Sequence, residues 1–582
     1  MEDIKKSLAL DIKSAIKDLL GKEITPKLDH PQESFGDYSS NIALVGSKIL
    51  KTSPLTLAES VKSKLPKMEL IEKIEVAKPG FINFWISKKY LIDRLREISE
   101  KKDQYGKGES LKNKKIMVEF TDPNPFKEFH IGHLYSNIVG ESLSRLLETQ
   151  GAIVKRANYQ GDVGMHVAKA LWGLFQLCHA EFSSASKIQE NKILKQVQDD
   201  SSNKKAKFLG QAYALGARAY EEDEKAKSEI EKLNKKIYEK DPSVMPLYQK
   251  GRQWSLEYFE EIYKRLGTKF DYYYFESEVG KEGLELVKEY LKKGVFVESR
   301  GAIVFPGEKY GLHTRVFINS LGLPTYEAKE LGLALRKYKD SPYGEAIIIT
   351  GNEIIGYFKV LLAALRQINP DLAQKTVHIA HGMVRLKSGK MSSREGNILT
   401  GEWLIDEAKR LIGSQYKEME NDTLEKVAIG AVKYALLKSG IGRNIEFSFD
   451  ESISFEGNSG PYLQYAYART QSVLGKLKTQ NSKLKITTQN SKVWERLEPE
   501  ELSILRTLYR FPEVVEEASI NFSPNTVCSY LFDLAQKFNL FYQKHQILGS
   551  ENKDFRLLLT SAVGQILKNG LNLLGIEAPE GM

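Results

Sequence analysis

A short apolar run, Ile116-Met117-Val118-Glu119-Phe120, a Pro-Asn-Pro loop, a helical pattern from Ile131 to about Gln150 and a second apolar run at Val154 to Asn158 constrain this chain most. Such runs read as buried parallel strands. Strand, loop, helix, strand opens a doubly wound α/β sheet. The loop runs Pro123-Asn124-Pro125-Phe126-Lys127-Glu128-Phe129-His130-Ile131-Gly132-His133. Histidines three apart at a helix start project from neighbouring positions on one face. The helix N-terminus offers free N–H groups and a positive partial charge, which suits a phosphate. Gly132, without a side chain, lets a flat ring such as adenine approach the backbone. The two imidazoles can donate to phosphate oxygens as charge develops on a leaving pyrophosphate. Alone, His-x-x-His favours a metal pair or surface residues.

The rest of the chain sets bounds on that reading. A length of 582 residues implies three or four domains. Hydrophobic residues at 41% and charged residues at 28% are the mix of a soluble globular protein. No stretch is apolar and long enough to cross a bilayer. Met1 to Lys22 reads as an amphipathic helix without a signal-peptide core, so a cytoplasmic location is expected. Cys178 and Cys528 are too few for a Cys-rich zinc site or a disulfide framework, and are expected to be buried or incidental thiols. A net charge of +9 is compatible with a polyanionic partner but does not by itself indicate RNA.

Residues 1–110 read as an α+β module: helix, the turn-rich stretch Asp29 to Tyr38, helical periodicity over Ser39 to Lys64, then strands at Ile71 to Val76 and Phe81 to Ile86. A charged linker, Glu100 to Lys115, closes it. The α/β region is expected over 111–400, with strands also at Ala302 to Phe305, Arg315 to Asn319, Glu345 to Thr350 (interior to the sheet) and Val377 to Ala380. Residues 181–265 read as a charged, solvated helical insertion, low in complexity over Lys187 to Lys207, to which no catalytic role is assigned. A connecting stem is expected at 401–455. An all-α bundle is expected at 456–582, on the periodicity of Tyr530, Leu531, Leu534, Phe538, Phe541 and Tyr542 and of Leu557 to Leu574. The polar stretch Lys476 to Trp494, with Thr-Gln-Asn-Ser-Lys twice, reads as a loop.

A second string, Lys387-Ser388-Gly389-Lys390-Met391-Ser392-Ser393-Arg394, is a basic loop able to close over a triphosphate. With His130-Ile131-Gly132-His133 it resembles the paired HIGH and KMSKS signatures of class I aminoacyl-tRNA synthetases. Ser393 stands where that loop usually has its second lysine. Arginyl-tRNA synthetases commonly lack it and carry a lysine just upstream of HIGH, the place of Lys127. The strings Tyr159-Gln160-Gly161-Asp162-Val163-Gly164, Tyr326-Glu327-Ala328-Lys329-Glu330, Gly457 to Arg469 and Leu571 to Pro579 extend the resemblance to arginyl-tRNA synthetases over nearly the whole chain.

The resemblance implies a Rossmann-like catalytic domain, an N-terminal additional domain and a C-terminal anticodon-binding domain. It implies ATP-dependent activation of L-arginine and transfer to tRNA-Arg, with magnesium travelling on ATP and no zinc or prosthetic group. Carried over by position, the catalytic residues are Lys127, His130, His133 and Lys390. ATP would also meet Pro123, Gly132, Gly382, Met383, Met391, Ser392 and Ser393. The amino-acid pocket would hold Glu119, Asp122, Asn124, Tyr326 and Glu330, with Asn352 or Glu353 at a further position. A guanidinium needs carboxylates in planar, bidentate geometry, and the family usually has aspartate where Glu330 stands. No editing domain is evident, which suits a substrate whose charge rejects apolar competitors. On the RNA side the residues are Phe35, Asn83, Tyr462, Tyr465 and Arg469, with Phe532, Phe538 and Phe541 expected in the bundle core. A monomer without membrane attachment is expected.

Overall fold

The computed structural model describes residues 4–180, 201–387, 399–478 and 497–582. The low-complexity stretch up to residue 200, the loop residues Lys390 to Arg394 and both Thr-Gln-Asn-Ser-Lys copies lie outside the described residues.

The N-terminal part is an α+β unit: α1 (Ile4–Leu20), β1 (Leu28–Asp29), β2 (Tyr38–Ser40), α2 (Ile42–Leu50), α3 (Pro54–Lys64), β3 (Ile71–Ala77), β4 (Phe81–Ile86) and α4 (Lys88–Lys101). Its antiparallel sheet runs β1-β2-β4-β3. The single helical pattern expected over Ser39 to Lys64 is two helices, because Ser53-Pro54 starts a new one with proline in its first turn.

The central sheet is parallel, ordered β12-β11-β5-β6-β7. Its strands are β5 (Lys115–Glu119), β6 (Ile153–Gln160), β7 (Tyr272–Phe275), β11 (Glu345–Gly351) and β12 (Thr376–His381). The chain moves outward from β5 through β6 to β7, then returns to β5's other edge with β11. The gap between β5 and β11 is therefore the topological switch point, where α/β sheets place ligands at the carboxyl ends of their strands. Helix α5 (Ile131–Thr149) begins there.

The short strands β8 (Val297–Ser299), β9 (Ala302–Phe305) and β10 (Arg315–Ile318) form a separate antiparallel sheet. Helices α10 (Glu276–Lys292), α11 (Tyr326–Asp340) and α12 (Ile355–Ile368) share one apolar core with this sheet and the central one. The stem and C-terminal part comprise β13 (Val384–Leu386), α13 (Gly401–Gln415), α14 (Asn421–Leu437), β14 (Ile445–Phe447), α15 (Gly460–Lys478), α16 (Pro499–Leu508), α17 (Phe511–Ile520), α18 (Pro524–Lys544) and α19 (Lys553–Leu573). One continuous apolar core runs from α1 through α5 to α19. No helix among the described residues is long and apolar enough to cross a membrane.

The charged helices between β6 and β7 depart from the expectation of a solvated insertion. They are α7 (Ser202–Glu222), α8 (Glu224–Tyr238) and α9 (Met245–Leu266). Together with α6 (Met165–Ala180) they bury their own core of Leu171, Leu174, Leu209, Ala212, Ile230 and Trp254. Helices α6 and α7 cross at small residues: a Cβ on Gly173 would lie 1.9 Å from the Ala212 carbonyl oxygen, and one on Gly216 1.9 Å from that of Lys169. Dense surface charge hides this narrow apolar stripe in the sequence.

The N-terminal unit is fastened to the helical bundle through Glu513 of α17. Its carboxylate accepts from the Tyr38 hydroxyl, pairs with Lys5 at 3.3 Å and meets His30 Nε2 at 3.2 Å. Tyr38 is thus buried between two domains.

Candidate active site

His130 is the N-cap of α5, and the two histidines cap the helix reciprocally. His130 Nδ1 accepts from the backbone N–H of Gly132 at 3.1 Å and of His133 at 3.3 Å, while the His130 N–H donates to His133 Nδ1 at 3.3 Å. The rings stack with centroids 3.5 Å apart. Burial, with help from the Lys127 charge, pushes the His130 pKa down to about 4, and burial holds His133 well below its ordinary value. Both rings are therefore neutral at physiological pH. With Nδ1 accepting, the single proton of each ring sits on Nε2, so the cap leaves each imidazole one outward donor.

The loop leading to this cap is strained. Thr121, Asp122 and Phe126 adopt φ of 82°, 45° and 68°, a region non-glycine residues avoid unless the surroundings hold them there. Helix α9 supplies the hold: the Phe126 N–H donates to Ser255 Oγ at 2.9 Å, and the ring stacks on Tyr248. Lys127 extends its ammonium over the Tyr213 ring of α7 at 4.5 Å.

The neighbouring wall comes from the end of β12. His381 packs on Tyr135 of α5, and Gly382 lies so close to residue 443 that a Cβ would sit 2.1 Å from the Arg443 carbonyl oxygen. Met383 is exposed beside it, its N–H bonded to Asn444 Oδ1 at 2.9 Å. Where the chain re-enters the described residues it bonds to the cap: Ile131 N–H to Leu399 O at 3.0 Å, and Gly401 N–H to Phe129 O at 2.8 Å. Lys390, Met391, Ser392 and Ser393 themselves lie outside the described residues.

Deeper in the cleft a group of carboxylates converges from separate segments. Glu119, at the end of β5, forms a buried ion pair with Lys337 of α11. Asp122 accepts the Tyr159 N–H at 2.9 Å. Glu276, first residue of α10, pairs with Lys329 at 2.6 Å. Asn124 is there too: a Cβ on Gly161 would lie 2.4 Å from Asn124 Oδ1 and 3.1 Å from Glu276 Oε1. Glu330 faces Glu119 and Glu276 and has no hydrogen-bond partner among the described residues. Burial first, and then the Glu119 charge, raises the Glu330 carboxyl to about 8. The same two causes hold Asp122 well above its ordinary value. Tyr326 stands at the mouth, 54% exposed, with the Lys329 ammonium 5.1 Å from its ring centroid.

The structure thus brings Glu119, Asp122, Asn124 and Glu330 together, with Tyr326 above them. Glu353 is elsewhere: it is exposed, and its charge acts on His130 and His381 rather than on the carboxylates. Sequence reasoning missed Glu276, Lys329 and Lys337. The signal for Glu276 was an acid directly after the aromatic run Tyr272 to Phe275, where a strand passes into a helix. It also missed Asp162, fully buried, which accepts from Ser277 N–H at 2.9 Å, Ser277 Oγ at 2.7 Å and Arg252 Nε at 2.9 Å. Arg252 in turn covers the Phe275 ring at 4.0 Å, so one ion pair clamps both neighbours of Glu276.

Among the proposed RNA contacts, Phe35 is 50% exposed and Tyr465 37%. Arg469 lies over the rings of Tyr465 and Tyr542 at 4.8 and 4.9 Å. Tyr462 accepts from Asn539 Nδ2 at 2.9 Å and packs on a half-buried Phe532, whereas Phe538 and Phe541 are in the core as expected. Asn83 is not at the surface. It lies on an interior strand, paired on one side with Ser39 and on the other with Glu75, and is 3% exposed. Among the described residues no grouping of His, Cys, Asp and Glu could hold a metal ion.

Three family models match in this order along the chain: the arginyl-tRNA synthetase N-terminal domain at residues 5–86, the class I (R) tRNA synthetase catalytic domain at 94–449, and the DALR anticodon-binding domain at 463–582. The chain belongs to the arginyl-tRNA synthetases. Similar curated proteins include arginine–tRNA ligases from Treponema denticola, 32% identical over 95% of this chain and 94% of that one, and from Borreliella afzelii, 33% identical over 99% of each. The fold is similar to the arginyl-tRNA synthetase of Thermus thermophilus, with a TM-score of 0.79 at 24% identity over 100% of both chains. It is also similar to that of Plasmodium falciparum, with a TM-score of 0.76 at 21% identity over 100% of both. This arginyl-tRNA synthetase is a class I ligase with an α/β catalytic domain and a helical C-terminal domain.

Proposed function

We propose that this arginine–tRNA ligase divides its chemistry between the two walls described above. ATP, carrying Mg²⁺, lies with its phosphates against the head of α5 and its adenine against Gly132, Gly382 and Met383, with Pro123 beside it. Arginine lies with its guanidinium among Glu330, Asp122 and Glu276, and with Tyr326 over the entrance. Glu119 serves this wall through its buried pair with Lys337, and Asn124 stands at the junction between the walls.

An oxygen of the arginine carboxylate attacks the α-phosphorus. A P–O bond forms to give arginyl-adenylate, and the bond to pyrophosphate breaks. The Nε2–H donors of His130 and His133, with the Lys127 ammonium, take up the charge on the phosphate oxygens, and the family resemblance assigns Lys390, with Met391, Ser392 and Ser393 of its loop, to the same triphosphate. A terminal ribose hydroxyl of tRNA-Arg then attacks the arginyl carbonyl carbon, and AMP leaves. No side chain needs to become a nucleophile; the site works by placement and charge. Phe35, Tyr462, Tyr465 and Arg469 are read as tRNA contacts, and the enzyme as a cytoplasmic monomer.

The observation that carries this reading is the buried carboxylate cluster with Glu330 unpartnered, set across the switch point from two neutral, outward-donating imidazoles. The test is amino-acid-dependent exchange of pyrophosphate into ATP, with tRNA present. Arginine supports exchange. Exchange with lysine or glutamine in its place would sink the assignment.

A further inference from the structure

The acceptors around the guanidinium place can be counted. A guanidinium presents five N–H donors in a planar fork. The Glu119 and Glu276 carboxylates are each engaged by a resident lysine, Lys337 and Lys329. One Asp122 oxygen already accepts the Tyr159 N–H. Glu330 can take two donors side by side, and the second oxygens of Glu119, Asp122 and Glu276 remain, so acceptor number alone does not say which groups meet the rest of the fork.

The Tyr159 hydroxyl also lacks a partner. It lies on β6, 8% exposed, and its hydroxyl is buried with no hydrogen bond among the described residues. The ionisable groups facing that hydroxyl are Glu276, Glu330, Tyr357 and Glu119. Its backbone is fixed by Asp122 and its ring by the core that includes Tyr274 and Val279. Buried hydroxyls nearly always have a partner, because an unsatisfied one loses its hydration without recompense. A rigid ring that delivers an orphan hydroxyl into the carboxylate cluster is aimed at something absent.

We infer that the Tyr159 hydroxyl is a further specificity residue for arginine, accepting a guanidinium N–H beside Glu330. The inference rests on the guanidinium lying in this cluster, as proposed above. It carries an unusual consequence. Removing the hydroxyl takes nothing from the arginine-free fold and relieves a desolvated group, so the loss falls on binding alone.

The experiment is Tyr159→Phe, with Glu330→Gln alongside. For Tyr159→Phe the arginine KM in pyrophosphate exchange is expected to rise about tenfold or more, with the ATP KM within about twofold of the parent. The melting temperature without arginine should be unchanged or higher, and the rise on adding arginine smaller. If Glu330→Gln raises the arginine KM and Tyr159→Phe does not, the pocket stands and the role of Tyr159 is overturned. If Tyr159→Phe lowers the arginine-free melting temperature, the hydroxyl holds the fold and the inference is overturned. If neither variant changes the arginine KM, the placement of the guanidinium fails and the inference fails with it.

Discussion

The two walls of the cleft solve opposite electrostatic problems by opposite means. The phosphate wall must attract anions, yet its histidines are held neutral. Against the expectation of free N–H groups, those of His130, Ile131, Gly132 and His133 are already bonded within the cap and to Leu399. The Nε2–H donors, the α5 dipole and the Lys127 ammonium therefore supply the positive potential. All of these come from a single continuous stretch at the head of α5. The amino-acid wall must attract a cation, and it gathers carboxylates from β5, the loop after it, α10 and α11, then neutralises part of them with Lys329 and Lys337. Unpaired, such a cluster could not stay ionised in a buried cleft. A wall built from local backbone tolerates little change in sequence order. A wall built from distant side chains is set by how its helices pack.

The sharpest break between the walls is Lys127→Ala. Its ammonium charge helps lower the pKa of both imidazoles, so it bears directly on this wall. Arginine-dependent pyrophosphate exchange is expected to fall by about 10²–10³-fold, while tRNA affinity measured by filter binding stays near that of the parent. Unchanged exchange would show that the phosphate wall does not depend on this cation.

His130→Asn separates the structural and chemical duties of one residue. Asparagine is a strong N-cap, so helix α5 should keep its start and stability should stay within about 1 kcal/mol by urea unfolding. The outward Nε2–H is lost, and kcat is expected to drop by about 10²-fold. A variant that unfolds early instead would mean that the ring stack on His133, rather than the cap, organises the loop.

These contrasts explain what the sequence made legible. Strands β5 and β6 and helix α5 stand within a few residues of the expected bounds, because their signals are local: apolar runs, a proline-rich loop and a helix start. The phosphate wall was readable for the same reason. Glu119, Asp122, Asn124 and Glu330 could be named only through the family resemblance, since nothing local marks a carboxylate as facing a cleft. Glu276, Lys329, Lys337 and Tyr159 were not assigned roles, because each acquires one only when α10 and α11 close on β5 and β6. Strand β7 escaped notice because its aromatic run, Tyr272 to Phe275, shows no clean alternation. The helices α7 to α9 read as solvated in sequence because charge outnumbers apolar stripes such as Ala206, Leu209, Ala212 and Gly216 of α7, and this also hides Tyr213 and Arg252.

On the amino-acid wall, Glu330→Gln keeps size and hydrogen bonding but removes the charge. Hydrogen bonds to charged groups contribute about 1.5–3 kcal/mol, so the arginine KM should rise roughly 10–100-fold with little change in the ATP KM. An equal rise in both would merge the two walls into one coupled site.

The smallest effect is also the most diagnostic of how the carboxylates share their protons. Glu330 holds its proton up to about 8, against an ordinary value of 4.5. Between those values the folded chain binds more protons than the unfolded one, so this group's contribution to stability declines as pH rises through the window and levels off above it. Arginine binding runs the other way. The guanidinium favours the ionised carboxylate and expels the proton, so arginine affinity should strengthen with pH by up to about tenfold per unit and flatten near pH 8. Isothermal titration in buffers of different ionisation enthalpy reads the proton release directly. Glu330→Gln should abolish both the release and the slope, while the pH dependence of ATP binding, to which the neutral imidazoles add no proton exchange over this range, should be the same in parent and variant. A slope that survives in the variant would move the shared proton to Asp122, the other carboxyl held above its ordinary range by the same cluster.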